Sequence, residues 1–150
     1  MVIYNIRREK YSKSLIASGV ANRWNKDDEF LIYTASSIAL STLELVAHRG
    51  AINIVHQYKL LSIKITLEKG DITEIKLKDL PPNWKQVTCY PQLQELGSNW
   101  YQSNQSLLLK VPSALVPWEH NFLISTKHPD FQQRVSIHST ENFEWDNRLL

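Results

Sequence analysis

One carboxylate, Glu44, is the only formal charge in the segment "FLIYTASSIALSTLELVAH" at residues 30–48. An unpaired charge held among apolar groups is costly, so such an acid is either partnered from elsewhere in the fold or turned toward a cleft. Upstream, "RWN" brings together an Arg23 guanidinium fork suited to phosphate or carboxylate, a Trp24 face for stacking, and an Asn25 amide that can read or cap. The plainer alternative makes Trp24 a core plug and Arg23 a solvated cation. In "VPSALVP", Ser113 lies between Pro112 and Pro117, which fix the local backbone. A serine at a strand end is commonly a turn or cap donor. A nucleophilic Ser113 served by His120 or His128 and Asp130 would ordinarily sit in a G-x-S-x-G elbow, which the chain lacks.

Other chemistries are disfavoured by composition. The four glycines, Gly19, Gly50, Gly70 and Gly97, are far apart, so neither a dinucleotide-binding glycine turn nor a P-loop can be written. The five histidines are scattered and Cys89 is the only cysteine, which leaves no metal-ligand spacing and no internal disulfide. Seventeen Lys and Arg against fifteen Asp and Glu give a net charge of +2 without a long basic run, so direct nucleic-acid binding is not expected. Cys89 is expected to pack and stay inert. A lone cysteine and the polar opening "MVIYNIRREKYSKS" lead to the expectation of a cytoplasmic protein.

These groups must be positioned by a chain of 150 residues, one-domain length, able to bury roughly 70% of its unfolded surface. "VIYNI" and "FLIYT" read as strands separated by a polar loop from Glu9 to Asn22. A helix is expected from an N-cap at Ser36 or Ser37, closed by Gly50 with His48 and Arg49 in its last turn; its nearly all-apolar surface predicts burial on most sides. "LLSIKITLE" alternates, with Leu61, Ile63, Ile65 and Leu67 on one face. Leu93, Leu96 and Trp100 imply a second helix, which Gly97 weakens, and "SLLLKVP", "NFLIS" and "RVSIHS" read as three further strands. "KHPDF" and "FEWDNRL" read as ordered turns with aromatic plugs. Helices and strands mix without regular alternation, so residues 1–150 are read as one α+β domain of small mixed sheets with helices.

In order along the chain, "VIYNI", "RWN", "FLIYTASSIALSTLELVAH", "LPPNW", "LGSNWYQSNQSLLLKVPSALVP", "NFLISTKHPDF" and "FEWDNRLL" resemble the RES-domain family, the toxins of Xre–RES toxin–antitoxin pairs. The resemblance implies a fold related to ADP-ribosyltransferases of the diphtheria-toxin type and no resident cofactor. It implies NAD+ as substrate, broken at the nicotinamide–ribose bond, with inorganic phosphate, water or a protein as acceptor. It further implies a partner antitoxin carrying a helix-turn-helix domain, with any DNA contact left to that partner. Arg23 matches the basic residue of the family's "RWN", Tyr33 the aromatic of its "YTA", Glu44 the acid of its "LE" helix, and Ser113 the serine of its "VPS".

In that setting, breaking the glycosidic bond develops positive charge on the ribose, which an acid at Glu44 would stabilise. Arg23 would take the diphosphate or the acceptor phosphate, Tyr33 would pack on nicotinamide or ribose, and the Ser113 hydroxyl would fix the base or the acid. Asn5 departs from the pattern, because the aromatic of the family's first strand is usually followed by arginine. Losing that fork removes a contact worth about 2–4 kcal/mol where desolvated. Activity should therefore be weak or reduced to binding. Arg7, on the same strand face, is the candidate to compensate.

Overall fold

A computed structural model describes residues 1–48 and 52–150 of the chain. Seven strands, β1 (Val2–Arg8), β2 (Leu31–Ala35), β3 (Tyr58–Ile65), β4 (Ile72–Glu74), β5 (Leu108–Pro112), β6 (His120–Ser125) and β7 (Val135–Phe143), carry helices α1 (Ile38–Ala47), α2 (Tyr90–Ser103) and α3 (Phe131–Arg134). The α+β class stands. The strands join a single seven-stranded sheet rather than several small ones, ordered β4-β5-β6-β2-β1-β3-β7 and antiparallel except between β4 and β5.

The sheet has a seam. β1 pairs with β3 along its whole length, from Val2 to Arg8, and β2 pairs with β6 from Leu31 to Ala35. Between β1 and β2, by contrast, the register holds only at Tyr4 opposite Ala35. The sheet therefore consists of two well-paired halves that meet at one point.

The apolar groups follow from this layout. Ile3, Ile32, Leu61, Ile63, Ile65 and Ile124 belong to one buried cluster spanning both halves. Trp24, Trp84, Leu93, Trp100, Leu109 and Leu123 form a second. The expected alternation in "LLSIKITLE" is present at Leu61, Ile63 and Ile65, but the strand begins earlier, at Tyr58, and Leu67 lies beyond it, 41% exposed. Tyr58 and Leu60 are also buried, in a third cluster with Ile6, flanked by Phe143 and Trp145. The "FEWDNRL" aromatics are thus plugs, with Trp145 edge-on to both Tyr58 and Phe143.

Helix α1 starts where Ser37, in extended conformation, accepts the Leu40 amide on its side chain. Its expected closure by Gly50 and the placement of Arg49 lie outside the described residues. The expectation of burial on most sides is not met: only Leu40 and Ser41 are buried, while Ile38 and Leu43 are each 42% exposed. The helix packs by one face on β1 and β2, over the seam, and its other faces stay open.

Helix α2 forms despite Gly97, and its buried stripe is Leu93, Gly97, Trp100 and Tyr101, with Leu96 40% exposed. Strand β4 and the short α3 were not legible in the pattern. Arg134 at the end of α3 fixes that region by binding both oxygens of Asp71 at 2.7 Å and Glu68 at 2.8 Å. Among the described residues no helix is long and apolar enough to cross a membrane, no group of His, Cys, Asp and Glu is disposed to hold a metal ion, and Cys89 is a buried free thiol.

Candidate active site

The seam opens into a cleft of about 370 Å³, lined from both halves of the sheet and from α1. Among the residues singled out in the sequence, Asn5, Arg23, Trp24, Tyr33 and Glu44 line it; Asn25 and Ser113 do not. Tyr90, His48 and Asn121 line it as well, and nothing in their sequence context marked Tyr90 or Asn121.

Glu44 is at the end of the second turn of α1, half-buried, with Oε1 accepting the Ser113 hydroxyl at 2.7 Å. Ser113 follows β5 and is fully buried. Its oxygen accepts the amides of Leu115 and Val116, each at 3.1 Å, and its own amide donates to the Glu119 carbonyl at 3.0 Å. The hydroxyl proton is thus committed to Glu44 and the oxygen to two backbone donors. Ser113 is fully buried and its hydrogen-bond partners include neither His120 nor His128, which speaks against the serine-hydrolase reading. What Ser113 does is orient one carboxylate oxygen of Glu44.

Arg23 enters from the loop between β1 and β2. One terminal guanidinium nitrogen donates to the Trp84 carbonyl at 3.3 Å and the Lys85 carbonyl at 3.0 Å. The guanidinium carbon lies 4.8 Å from the Tyr90 ring centre and 5.9 Å from that of Trp84. Among the described residues neither Arg23 nor Glu44 takes part in a salt bridge. A cation and an acid that share a cleft without neutralising each other suit a ligand carrying both signs of charge.

Trp24 is a core plug, 3% exposed, tilted against Trp84 with ring centres 6.4 Å apart. Asn25 is 1% exposed and does not read a ligand: Nδ2 donates to the carbonyls of Val20, Lys26 and Glu29, and Oδ1 accepts the Tyr33 hydroxyl at 2.6 Å. The Tyr33 oxygen also accepts the Trp24 amide at 3.1 Å. Burial pushes the Tyr33 hydroxyl well above the usual phenol range, so it is neutral and acts as a strut between β2 and the loop.

Asn5 bridges the seam. Its Nδ2 donates to the Tyr33 carbonyl at 2.8 Å, and its Oδ1 accepts Nε of Arg7 at 2.6 Å. One terminal nitrogen of Arg7 also donates to the carbonyls of Tyr11, Ser14 and Ile16, and Arg7 does not line the cleft. The idea that Arg7 supplies the missing charge is corrected on this ground: its fork faces Asn5 and the loop.

Sequence reasoning missed the stripe on α2 that holds the Arg23 loop. Tyr90 packs on Arg23, Gln94 donates to the Asn22 carbonyl at 2.8 Å, and Ser98 donates to the buried Glu29 carboxylate at 2.6 Å. Between them, a Cβ added at Gly97 would stand 1.7 Å from the Trp24 carbonyl oxygen. The helix carries glycine because the loop backbone lies directly against it. The four-residue spacing of Tyr90, Gln94 and Ser98 was the available signal.

Comparison with known proteins bears on the family and the fold. The RES domain matches residues 2–146. A protein named Toxin Res from Photorhabdus laumondii is 31% identical over 154 residues, covering 100% of this chain and 97% of the relative. A Prs ADP-ribosylating toxin from Sphingobium sp. is 32% identical over 129 residues, covering 85% and 80%. The fold is shared with the crystal structure of the M. tuberculosis MbcT–MbcA toxin–antitoxin complex, at a TM-score of 0.74 and 15% identity over 95% of this chain and 83% of that one.

Proposed function

The chain belongs to the RES domain family, and on that premise we propose that it is the toxin of a toxin–antitoxin pair and cleaves NAD+ between nicotinamide and ribose. The observation that carries the reading is Glu44: a carboxylate in the cleft, oriented by a buried serine and left without a cationic partner among the described residues.

The substrate joins a cationic nicotinamide–ribose bond to an anionic diphosphate. Arg23 binds the diphosphate with the guanidinium nitrogens not taken by the Trp84 and Lys85 carbonyls. The C1′–N bond then breaks, nicotinamide leaves with the bonding electrons, and the ribose acquires oxocarbenium character. The negative charge of Glu44, half-buried in the cleft, stabilises that cation. An acceptor oxygen closes the bond to C1′; with inorganic phosphate, attacking through an unprotonated oxygen, the reaction is phosphorolysis, and with water, which releases a proton to solvent, it is hydrolysis. No resident cofactor or metal enters the scheme.

The name of the Sphingobium relative favours a second acceptor, a protein side chain receiving ADP-ribose. Nicotinamide release from NAD+, followed with and without phosphate and with labelled NAD+ to detect modified protein, separates the three. Binding without release would make the chain a non-catalytic NAD+ module. The partner we assign is an antitoxin with a helix-turn-helix domain of the Xre type, forming a hetero-oligomer in the cytoplasm; the likeness to a toxin–antitoxin complex supports that pairing.

A further inference from the structure

We propose that Tyr90 is a positioning residue that holds Arg23 for a diphosphate, so that the first residue of α2 sets the affinity of the cleft for pyrophosphate-bearing ligands. The inference rests on the reading of the cleft as an NAD+ site, and its test is separable from that reading.

Three observations converge on it. The Tyr90 ring lies under the Arg23 guanidinium at 4.8 Å, closer than the Trp84 ring at 5.9 Å, and both Tyr90 and Arg23 line the cleft. The carbonyls of Trp84 and Lys85 hold one terminal nitrogen of the same guanidinium. A planar cation restrained by a ring at its face and by carbonyls at one nitrogen keeps a defined orientation, which bidentate recognition of phosphate oxygens requires. Finally, Tyr90 heads the α2 stripe whose other members, Gln94, Gly97 and Ser98, all engage the loop bearing Arg23. Gln94 and Ser98 act on the loop beside Arg23; Tyr90 acts on the guanidinium itself.

ADP-ribose and adenosine are titrated calorimetrically into the full-length chain and into Tyr90→Leu, Tyr90→Phe, Arg23→Gln and the Arg23→Gln/Tyr90→Leu double variant, with melting curves to verify folding. Tyr90→Met replaces Tyr90→Leu if the latter does not fold. Loss of the ring face should weaken ADP-ribose by about threefold to tenfold, while Tyr90→Phe, which keeps it, stays within about twofold of the parent. In the Arg23→Gln background, removing Tyr90 should cost nothing more, and adenosine affinity should not change in any variant.

An unchanged ADP-ribose affinity in Tyr90→Leu would overturn the proposal. So would an equal loss in the Arg23→Gln background, an equal loss for adenosine, or failure of the parent chain to bind ADP-ribose. Nicotinamide release is assayed in parallel. Coupling between Tyr90 and Arg23 without any release refutes the reaction and leaves the positioning role standing; release with no Tyr90 effect does the reverse.

Discussion

Glu44 and Ser113 act as one unit. Ser113 donates a hydrogen bond to the carboxylate and accepts one from each of two amides, which fixes the geometry of the pair. Replacing Glu44 with Gln keeps the shape and removes the charge; nicotinamide release should fall by about 10²–10³-fold while the melting temperature stays close to the parent's. Ser113→Ala is expected to do both kinds of damage. It frees Glu44 to rotate, lowering kcat, and takes the acceptor from the part-buried Leu115 and Val116 amides at a cost of about 0.5–1.5 kcal/mol, visible as a drop in melting temperature. Asn5→Arg tests the departure from the family pattern. It adds a second cation to the cleft and should raise NAD+ turnover, yet it gives up the bonds to Tyr33 and Arg7 across the seam and should melt lower. Glu44 and Arg23 stood out in the sequence by their charge, Tyr33 only through the family resemblance, and all three line the cleft. The buried amide network of Asn25 and the carboxylate of Glu29 were not legible, since their partners are backbone carbonyls and helix side chains distant in sequence.

At the scale of elements, α2 is the rack on which the Arg23 loop hangs, and Gly97 is its least replaceable position. A methyl group there would overlap the Trp24 carbonyl, which is backbone and cannot swing aside. Gly97→Ala should cost about 1–3 kcal/mol or more and weaken ADP-ribose binding through displacement of Arg23, read by thermal melting and calorimetry on one preparation. In the sequence that glycine only weakened the helix expectation, because propensity registers its backbone freedom and not the chain packed against it. Strands with apolar alternation, such as β3, were legible from period alone. Strand β4 was not: three residues give no period, and it exists through parallel pairing with β5. The apolar surface of α1 misled for a different reason. It was read as a sign of burial, whereas the helix covers the seam with one face and leaves Ile38 and Leu43 open.

For the whole molecule, the cleft exists because two well-paired halves of a sheet touch at a single register position, with Asn5 bridging below it. Hydrogen exchange should therefore show weaker amide protection along the β1–β2 seam than in the continuous β1–β3 ladder, and NAD+ should narrow the difference. The placement of Glu44 on the helix above the seam, and of Arg23 on the loop beside it, gives the molecule its chemical reading. The measurement that tests it most directly is nicotinamide release from NAD+ by the parent chain, Asn5→Arg and Glu44→Gln side by side, each with and without phosphate. Slow release by the parent, faster release by Asn5→Arg and near-complete loss in Glu44→Gln are predicted. Release by Glu44→Gln at the parent's rate, or none from either the parent or Asn5→Arg, would contradict the account.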